Sequence, residues 1–450
     1  MKNFRSIFIA VLIPLSALPT PAQTPPSDSR AHAAEVLDDI TAGRFEAVEA
    51  QFADEVSAAL PPGMLARTWE QLTAQVGDFK RAAKGASQQM QGNRIETRVC
   101  VFERATLDAV IAFTPEGRIA GLRFVPHQEP ATAVTARSEK KPTTFREQPV
   151  SVAFRHWALP GTLSVPKGAG PFPLVVLVHG SGPHDQDETI GPNAPFKDLA
   201  WGLADHGVAV LRYTKRTKQY GPQSSDDPQA LTVRDEVIDD ARAAVALAAK
   251  QPAIDPGRIY VLGHSLGGYL APSIAHGDSQ IAGLIILAGS ARPLQRIVIE
   301  QVRYLASGLP VEQAQAQIAT AERDAQAIES PTLAKGQTVS LAGAKVPASY
   351  FLDLRGYDPA QVAAQLAIPI LVLQGARDYQ VTAADYHRWK QALAKRSNAT
   401  FKLYPSFTHL FRASSSPGTG LGAPQDYDIA SHVDKQVIND IASWIAAGRP

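Results

Sequence analysis

Residues 259–268 read Ile259-Tyr260-Val261-Leu262-Gly263-His264-Ser265-Leu266-Gly267-Gly268. The opening four are the apolar residues of a buried strand, and the run after the serine is helix-forming. A serine between two such elements sits on a sharp strand-to-helix turn with a strained backbone. Side chains two positions either side of it would collide, so Gly263 and Gly267 remove them. Gly268 lets the helix approach the sheet closely. The turn raises the Ser265 hydroxyl above the sheet. It also puts the N–H of Leu266 at a helix N-terminus, where it can stabilise an oxyanion.

Working outward, the region from residue 150 onward alternates strands with helices, which implies a largely parallel sheet covered on both faces. Residues 150–154 and 162–165 suggest an opening antiparallel pair. Strands are expected at 174–178, 208–213, 259–262, 284–287, 369–373 and 401–404. Helices are expected at 196–206, 233–250, 265–276 and 431–446. Between residues 291 and 367 this rhythm stops. The segment is rich in Gln, Ala and Glu, with helical patterning at 294–306 and 311–328. A loop that long is improbable inside a compact domain, so it is expected to be an inserted, mostly helical cap over the C-terminal edge of the sheet.

A serine hydroxyl is a poor nucleophile at neutral pH and needs a base oriented by an acid. In the strand-turn-helix context of Ser265 the chain order is serine, acid, histidine. Asp378 follows the expected strand at 369–373 and so lies on a loop at the same sheet edge. Asp385 is the nearest rival, but it falls inside a helix pattern, and no acid closely follows 284–287. Of eleven histidines, His409 alone lies on a loop after the last strand candidate and downstream of Asp378. His387 and His432 sit in helix patterns. A second oxyanion donor is expected in the glycine-rich loop His179-Gly180-Ser181-Gly182-Pro183-His184, from the N–H of Ser181, with Gly182 as the alternative. Gly182, His184 and His264 are candidate substrate contacts. His179 is expected to pack beneath the loop.

Upstream, residues 31–126 suggest a small α+β domain. Val36, Ile40, Phe45, Val48, Phe52 and Val56 recur with helical spacing across 31–60, and a second helix is expected at 64–76. Strands are expected at 79–83, 95–102, 109–113 and 119–125. Residues 127–149 are polar and read as a linker. At the start, Lys2 and Arg5 precede an apolar run at 7–18, and Thr20-Pro21-Ala22 resembles a cleavage site. This predicts a signal peptide over residues 1–22 and an exported, periplasmic or secreted protein without a membrane anchor.

Composition narrows the rest. The 450 residues are 45% hydrophobic and 19% charged with a net charge of +1, enough apolar material for two domains and no electrostatic case for nucleic acid. Cys100, the single cysteine, lies in an alternating strand-like run and reads as a buried apolar residue. Trp69 and Trp157 read as core aromatics. No metal or organic cofactor is implied, and the oligomeric state is not readable.

The serine turn, the acid, the histidine and the glycine-rich loop, in this order, resemble the α/β-hydrolase superfamily over residues 150–450. Residues 179–183 followed by Asp187-Glu188-Thr189-Ile190-Gly191-Pro192 look like the bacterial exported esterases of its dienelactone-hydrolase and serine-aminopeptidase (S33)-like branch. Residues 45–79, with Trp69 and Gly77, are similar to the DUF3887 domain that often precedes such enzymes. In many relatives the strand near Leu211 continues into Asp-Lys-Arg-Gly; here it continues Tyr213-Thr214-Lys215-Arg216-Thr217. The resemblance implies carboxylic-ester hydrolysis through an acyl-enzyme on a small-molecule substrate. Peptide-bond hydrolysis is the alternative, with Glu300, Glu312 and Glu322 as candidate holders of a substrate ammonium.

Overall fold

The computed structural model describes residues 29–59, 62–90, 93–127, 143–416, 418 and 420–448. The expected signal peptide and most of the expected linker lie outside them. The chain divides into two compact units, residues 1–136 and 137–450.

In the first unit, α1 (Ser29–Thr41), α2 (Phe45–Glu49), α3 (Asp54–Ala59) and α4 (Met64–Val76) precede an antiparallel sheet. Its strands β1 (Phe79–Met90), β2 (Asn93–Phe102), β3 (Thr106–Phe113) and β4 (Ile119–Pro126) follow one another in sequence order. The continuous helical pattern at 31–60 is interrupted because Gly43 turns at φ 75 after α1 and Phe52 pairs with Ile119. Ala33, Val36 and Ile40 of α1 pack on Ile111, Phe113 and Ile119. Leu37, Leu72 and Val76 cover Cys100, Phe102 and Leu107. Trp69 stands among Phe79, Phe102 and Phe124. Burial pushes the Cys100 thiol up to about 12, so it is an inert packing group.

The second unit opens with the antiparallel pair β5 (Phe145–Phe154) and β6 (Trp157–Pro166), in register from Phe145↔Pro166 to Phe154↔Trp157. The strand thus begins inside the stretch that sequence suggested was linker. There follow β7 (Phe172–Val178), α5 (Pro195–Asp205), β8 (Ala209–Tyr213), α6 (Arg216–Tyr220), α7 (Asp239–Ala248), β9 (Ile254–His264), α8 (Leu266–Ala275) and β10 (Ile281–Leu287). The chain continues through α9 (Leu294–Ala306), α10 (Val311–Glu329), the hairpin β11 (Thr338–Leu341) and β12 (Ala344–Pro347), α11 (Ala348–Asp353) and α12 (Pro359–Gln365). It ends with β13 (Ile370–Gly375), α13 (Ala383–Ala392), β14 (Ala399–Tyr404) and α14 (Lys435–Ala447). The eight-stranded sheet has the order β14-β13-β10-β9-β7-β8-β6-β5. Its pairs from β14 to β8 are parallel, while β6 runs antiparallel to both neighbours. This is the α/β-hydrolase architecture.

Successive residues of a strand face opposite sides of the sheet. Along β7, Leu174, Val176 and Val178 face a core shared with α7, α8, α12 and α13. Val175 and Leu177 face a second core under α5 and α14. Both faces are covered, which is why β7 is apolar at every position. The region expected to be a cap is not wholly helical, since it contains the β11–β12 hairpin. Its last helix, α12, belongs to the layer on the sheet, with Ala360 and Ala363 packed in the α8 core. From α9, Gln301 and Tyr304 donate to the carbonyls of Gln380 and Gly422. These contacts tie the insertion to loops beyond β13 and β14.

From β7 the chain steps one way to β8, and from β9 the other way to β10. The adjacent strands β7 and β9 therefore form the switch point of the sheet, where loops diverge and leave a crevice. The loops that follow β7, β9, β13 and β14 carry Ser181, Ser265, Asp378 and His409 at one edge.

Trp389 of α13 is fully buried and its indole N–H donates to the carbonyl of Gly289 at 2.7 Å. Trp389→Phe removes that donor and leaves the carbonyl unpaired, so urea denaturation should show a loss of about 1–3 kcal/mol.

Candidate active site

Ser265 has φ 54 and ψ −114, a conformation an L-residue adopts only under constraint. The constraint is the packing around it. A Cβ on Gly263 would stand 2.1 Å from the carbonyl oxygen of Gly267, and one on Gly267 would stand 2.2 Å from that of Val178. On Gly268 it would meet Gly289 at 2.8 Å. The Ser265 N–H donates to Leu287 and its carbonyl accepts from Tyr269, so both sides of the turn are held. Leu266 is the first residue of α8, and its N–H projects from the helix start.

Asp378 is completely buried after β13. Its Oδ1 accepts from the N–H groups of Gln380 and Val381 at 2.8 and 3.0 Å, and its Oδ2 from the Gln374 amide at 3.1 Å. The same Oδ2 lies 2.6 Å from Nδ1 of His409. A carboxylate can only accept here, so Nδ1 of His409 is the donor, and the neutral tautomer with that arrangement has its lone pair at Nε2. The two loops meet because Gly375 lacks a side chain: a Cβ there would stand 2.4 Å from the carbonyl oxygen of Phe407. The N–H of Arg377 donates to that carbonyl at 3.0 Å. The ring of His264, next to Ser265 in sequence, lies 4.7 Å from that of His409.

The rival acid, Asp385, is equally buried but committed elsewhere. It accepts from Ser290 Oγ, the N–H of Ala291 and the guanidinium of Arg292. His387 is exposed on α13, and His432 bonds Asp198.

The loop after β7 is built on buried charges. Glu188, wholly buried at φ 51, accepts the N–H of Gly180 at 2.7 Å on Oε1. Its Oε2 lies 2.9 Å from Nδ1 of His264, and Nε2 of His264 lies 3.1 Å from the carbonyl oxygen of His409. Burial alone would raise the Glu188 pKa, but the charge and hydrogen bond of His264 outweigh it and hold the carboxyl at about 2. Burial likewise opposes protonation of His264, and Glu188 overcomes it, raising that pKa. With a carboxylate on one nitrogen and a carbonyl on the other, the ring has its donors fully used. His264 is therefore not a substrate contact; it is a buried brace between the β7 loop and the His409 loop. Sequence reasoning missed this because Glu188 is remote along the chain.

His179 packs beneath the loop against Phe196 and Tyr213, with Nε2 bonded to the carbonyl of Asp185. Burial pushes its pKa down to about 3. His184 bonds the carbonyl of Ser181, and burial lowers its pKa too. Gly182 takes φ 95, a conformation glycine adopts readily. Among the described residues the N–H groups of Ser181, of its alternative Gly182 and of Leu266 have no acceptor, whereas that of Gly180 is committed to Glu188. A Cβ on Gly180 would stand 3.7 Å from Ser265 Oγ, so this loop borders the serine.

With its sheet, strained serine and buried acid–histidine pair, the chain belongs to the hydrolase family described as "Serine aminopeptidase, S33", which it matches over residues 170–412. Residues 33–122 match a second family, the protein domain of unknown function DUF3887. The chain is 38% identical over 407 residues to Esterase EstD of Thermotoga maritima, a match spanning 90% of this chain and 92% of that protein. Among solved structures it is similar to Est1E from Butyrivibrio proteoclasticus, at 16% identity and a TM-score of 0.43, covering 67% of this chain and 98% of that one. The Pyrococcus furiosus esterase PF2001 is similar at 13% identity and a TM-score of 0.43, covering 72% and 96%.

The buried groups set a pH profile of stability. Unfolded His179 takes up a proton near 6.5 and the folded residue only near 3, so stability falls as pH drops through that window. The Glu188 pKa is depressed too, so its contribution is present above 4.5 and lost as pH falls to about 2. His264, with its raised value, contributes fully below 6.5 and loses that contribution as pH rises through its folded pKa. Melting temperature should therefore decline from pH 6.5 to 5 through His179 and His184, whose pKa values are lowered. His179→Asn should flatten this decline by up to ~1.4 kcal/mol per pH unit; an unaltered slope would contradict the assignment.

Proposed function

We propose that the protein is an exported serine esterase that cleaves small carboxylic esters through an acyl-enzyme. The observation that carries the mechanism is the buried 2.6 Å contact between Asp378 and Nδ1 of His409 at the edge where Ser265 is held in a strained turn. The choice of ester rests on the identity with Esterase EstD across most of both chains. Export rests on Lys2, Arg5 and the apolar run that follows them.

In this reading, Nε2 of His409 removes the Ser265 proton as Oγ attacks the ester carbonyl. Asp378 holds the tautomer and stabilises the imidazolium that forms. The N–H groups of Leu266 and Ser181 stabilise the oxyanion, aided by the N-terminal end of α8. The intermediate collapses, and His409 gives its proton to the departing alcohol. Water, deprotonated by His409, then attacks the acyl-enzyme and releases the acid. Gly182 and His184 border the oxyanion loop and are the residues of this loop offered as substrate contacts.

The family description raises a peptidase reading, which needs a free carboxylate for the substrate ammonium. Glu300 is paired with Arg292 and accepts from Thr382, and Glu322 is paired with Arg303. Arg292 is shared with Asp385, and Glu312 is exposed on α10, so the ester reading rests on the identity with Esterase EstD rather than on these carboxylates. Turnover of p-nitrophenyl butyrate should accordingly exceed that of aminoacyl-nitroanilides; the reverse preference would contradict the ester reading.

Ser265→Ala should lower kcat on p-nitrophenyl butyrate by about 10⁶-fold, and Asp378→Asn by roughly 10⁴-fold. Asp385→Asn should cost stability while leaving turnover per folded molecule near wild type. Wild-type turnover in Ser265→Ala would remove the basis of the assignment.

A further inference from the structure

We propose that Lys215 is a positioning residue for the oxyanion donor at Ser181, a role that rests on the serine-esterase reading above. Lys215 follows β8 and is almost entirely buried. Its ammonium donates to the carbonyl oxygen of Gly180 at 2.9 Å and pairs with Glu236 at 3.1 Å. Its backbone N–H donates to the carbonyl of His184 at 3.0 Å, so the residue is tied to both ends of the glycine-rich loop.

The bonded carbonyl is half of the Gly180–Ser181 peptide group, and the other half is the N–H of Ser181. In a trans peptide these two bonds point in opposite directions. Fixing the carbonyl on the ammonium therefore turns the Ser181 N–H away from Lys215 and prevents the peptide from flipping. A cation on the carbonyl also polarises the amide and strengthens its N–H as a donor. The preceding peptide is held independently, because the Gly180 N–H is bonded to Glu188 at 2.7 Å. Gly180 itself is pressed against the nucleophile, with 3.2 Å between the position of a Cβ and the Cβ of Ser265. The donor is thus oriented from two sides by buried charges of opposite sign.

Lys215 is not placed for proton transfer. Its charge is balanced by Glu236, which is itself held by Tyr350 at 2.7 Å and Thr217 at 3.2 Å. A purely structural ion pair would have the same partners but a different consequence. Its loss would lower the melting temperature and the fraction of active enzyme without altering each active site.

The test uses the full chain with Lys215→Met and Glu236→Gln, active sites being titrated with a fluorophosphonate taken to completion. Lys215→Met should lower kcat per titrated site about tenfold to a hundredfold on p-nitrophenyl butyrate, with little change in KM. The Ki of a trifluoromethyl ketone, whose hemiketal oxygen needs the same donor, should rise in proportion to the fall in kcat/KM. Lys215→Arg should recover part of both. Unchanged kcat per site and unchanged Ki, with only a lower melting temperature, would overturn the proposal. If Lys215→Met does not fold, Glu236→Gln decides by the same two readouts, with a smaller effect in the same direction expected. Ser265→Ala separates the two levels: retained turnover there overturns the esterase reading, whereas an inactive Ser265→Ala beside unaltered Lys215→Met kinetics overturns only the role of Lys215.

Discussion

Between β9 and α8 there is no room for one additional methyl group. Gly263 and Gly267 close on each other's backbone, Gly267 lies against the carbonyl of Val178, and Gly268 lies against Gly289. This contact joins the helix start to three neighbouring strands and leaves Ser265 at φ 54. Such strain persists only where the surroundings over-determine it. Here they do, because β7, β9 and β10 are buried on both faces and cannot shift to relieve it. The sheet therefore serves as the rigid part against which the Ser265 turn is held.

Around this turn, positions are set by buried polar groups rather than by apolar packing. Asp378 accepts from two backbone N–H groups and an amide before it meets His409. Asp385 fastens the loop after β10 in the same manner, and Glu188 fastens the loop after β7. Each carboxylate is buried with its acceptor positions used, which makes burial tolerable and the geometry narrow. Truncating any one of them would leave partners stranded in a low-dielectric interior. The loops at the site edge are in this sense as well determined as the strands beneath them.

Much of this was legible in the sequence, for local reasons. A strand buried on both faces is apolar at every position, so residues 174–178 and 284–287 announced themselves. The glycines around Ser265 encode a steric demand that acts over two residues. Asp378 and His409 could be singled out as candidates because each follows a strand on the proper edge in the proper order. What escaped was pairing between distant segments. His264 reads as a residue beside the nucleophile, and nothing nearby reveals that Glu188 occupies its ring. The hydrogen bond of Lys215 to the Gly180 carbonyl likewise joins segments distant in sequence. Helix ends were misjudged where a tertiary contact decided them, as at Phe52, whose pairing with Ile119 interrupts an otherwise regular helical pattern.

The central claim is that the acyl group passes through Ser265. It is tested most directly by quenching the enzyme during turnover of p-nitrophenyl butyrate and mapping the acylated peptide by tandem mass spectrometry. The account predicts a butyryl ester on Ser265. Accumulation of the butyryl group on any other residue would contradict it.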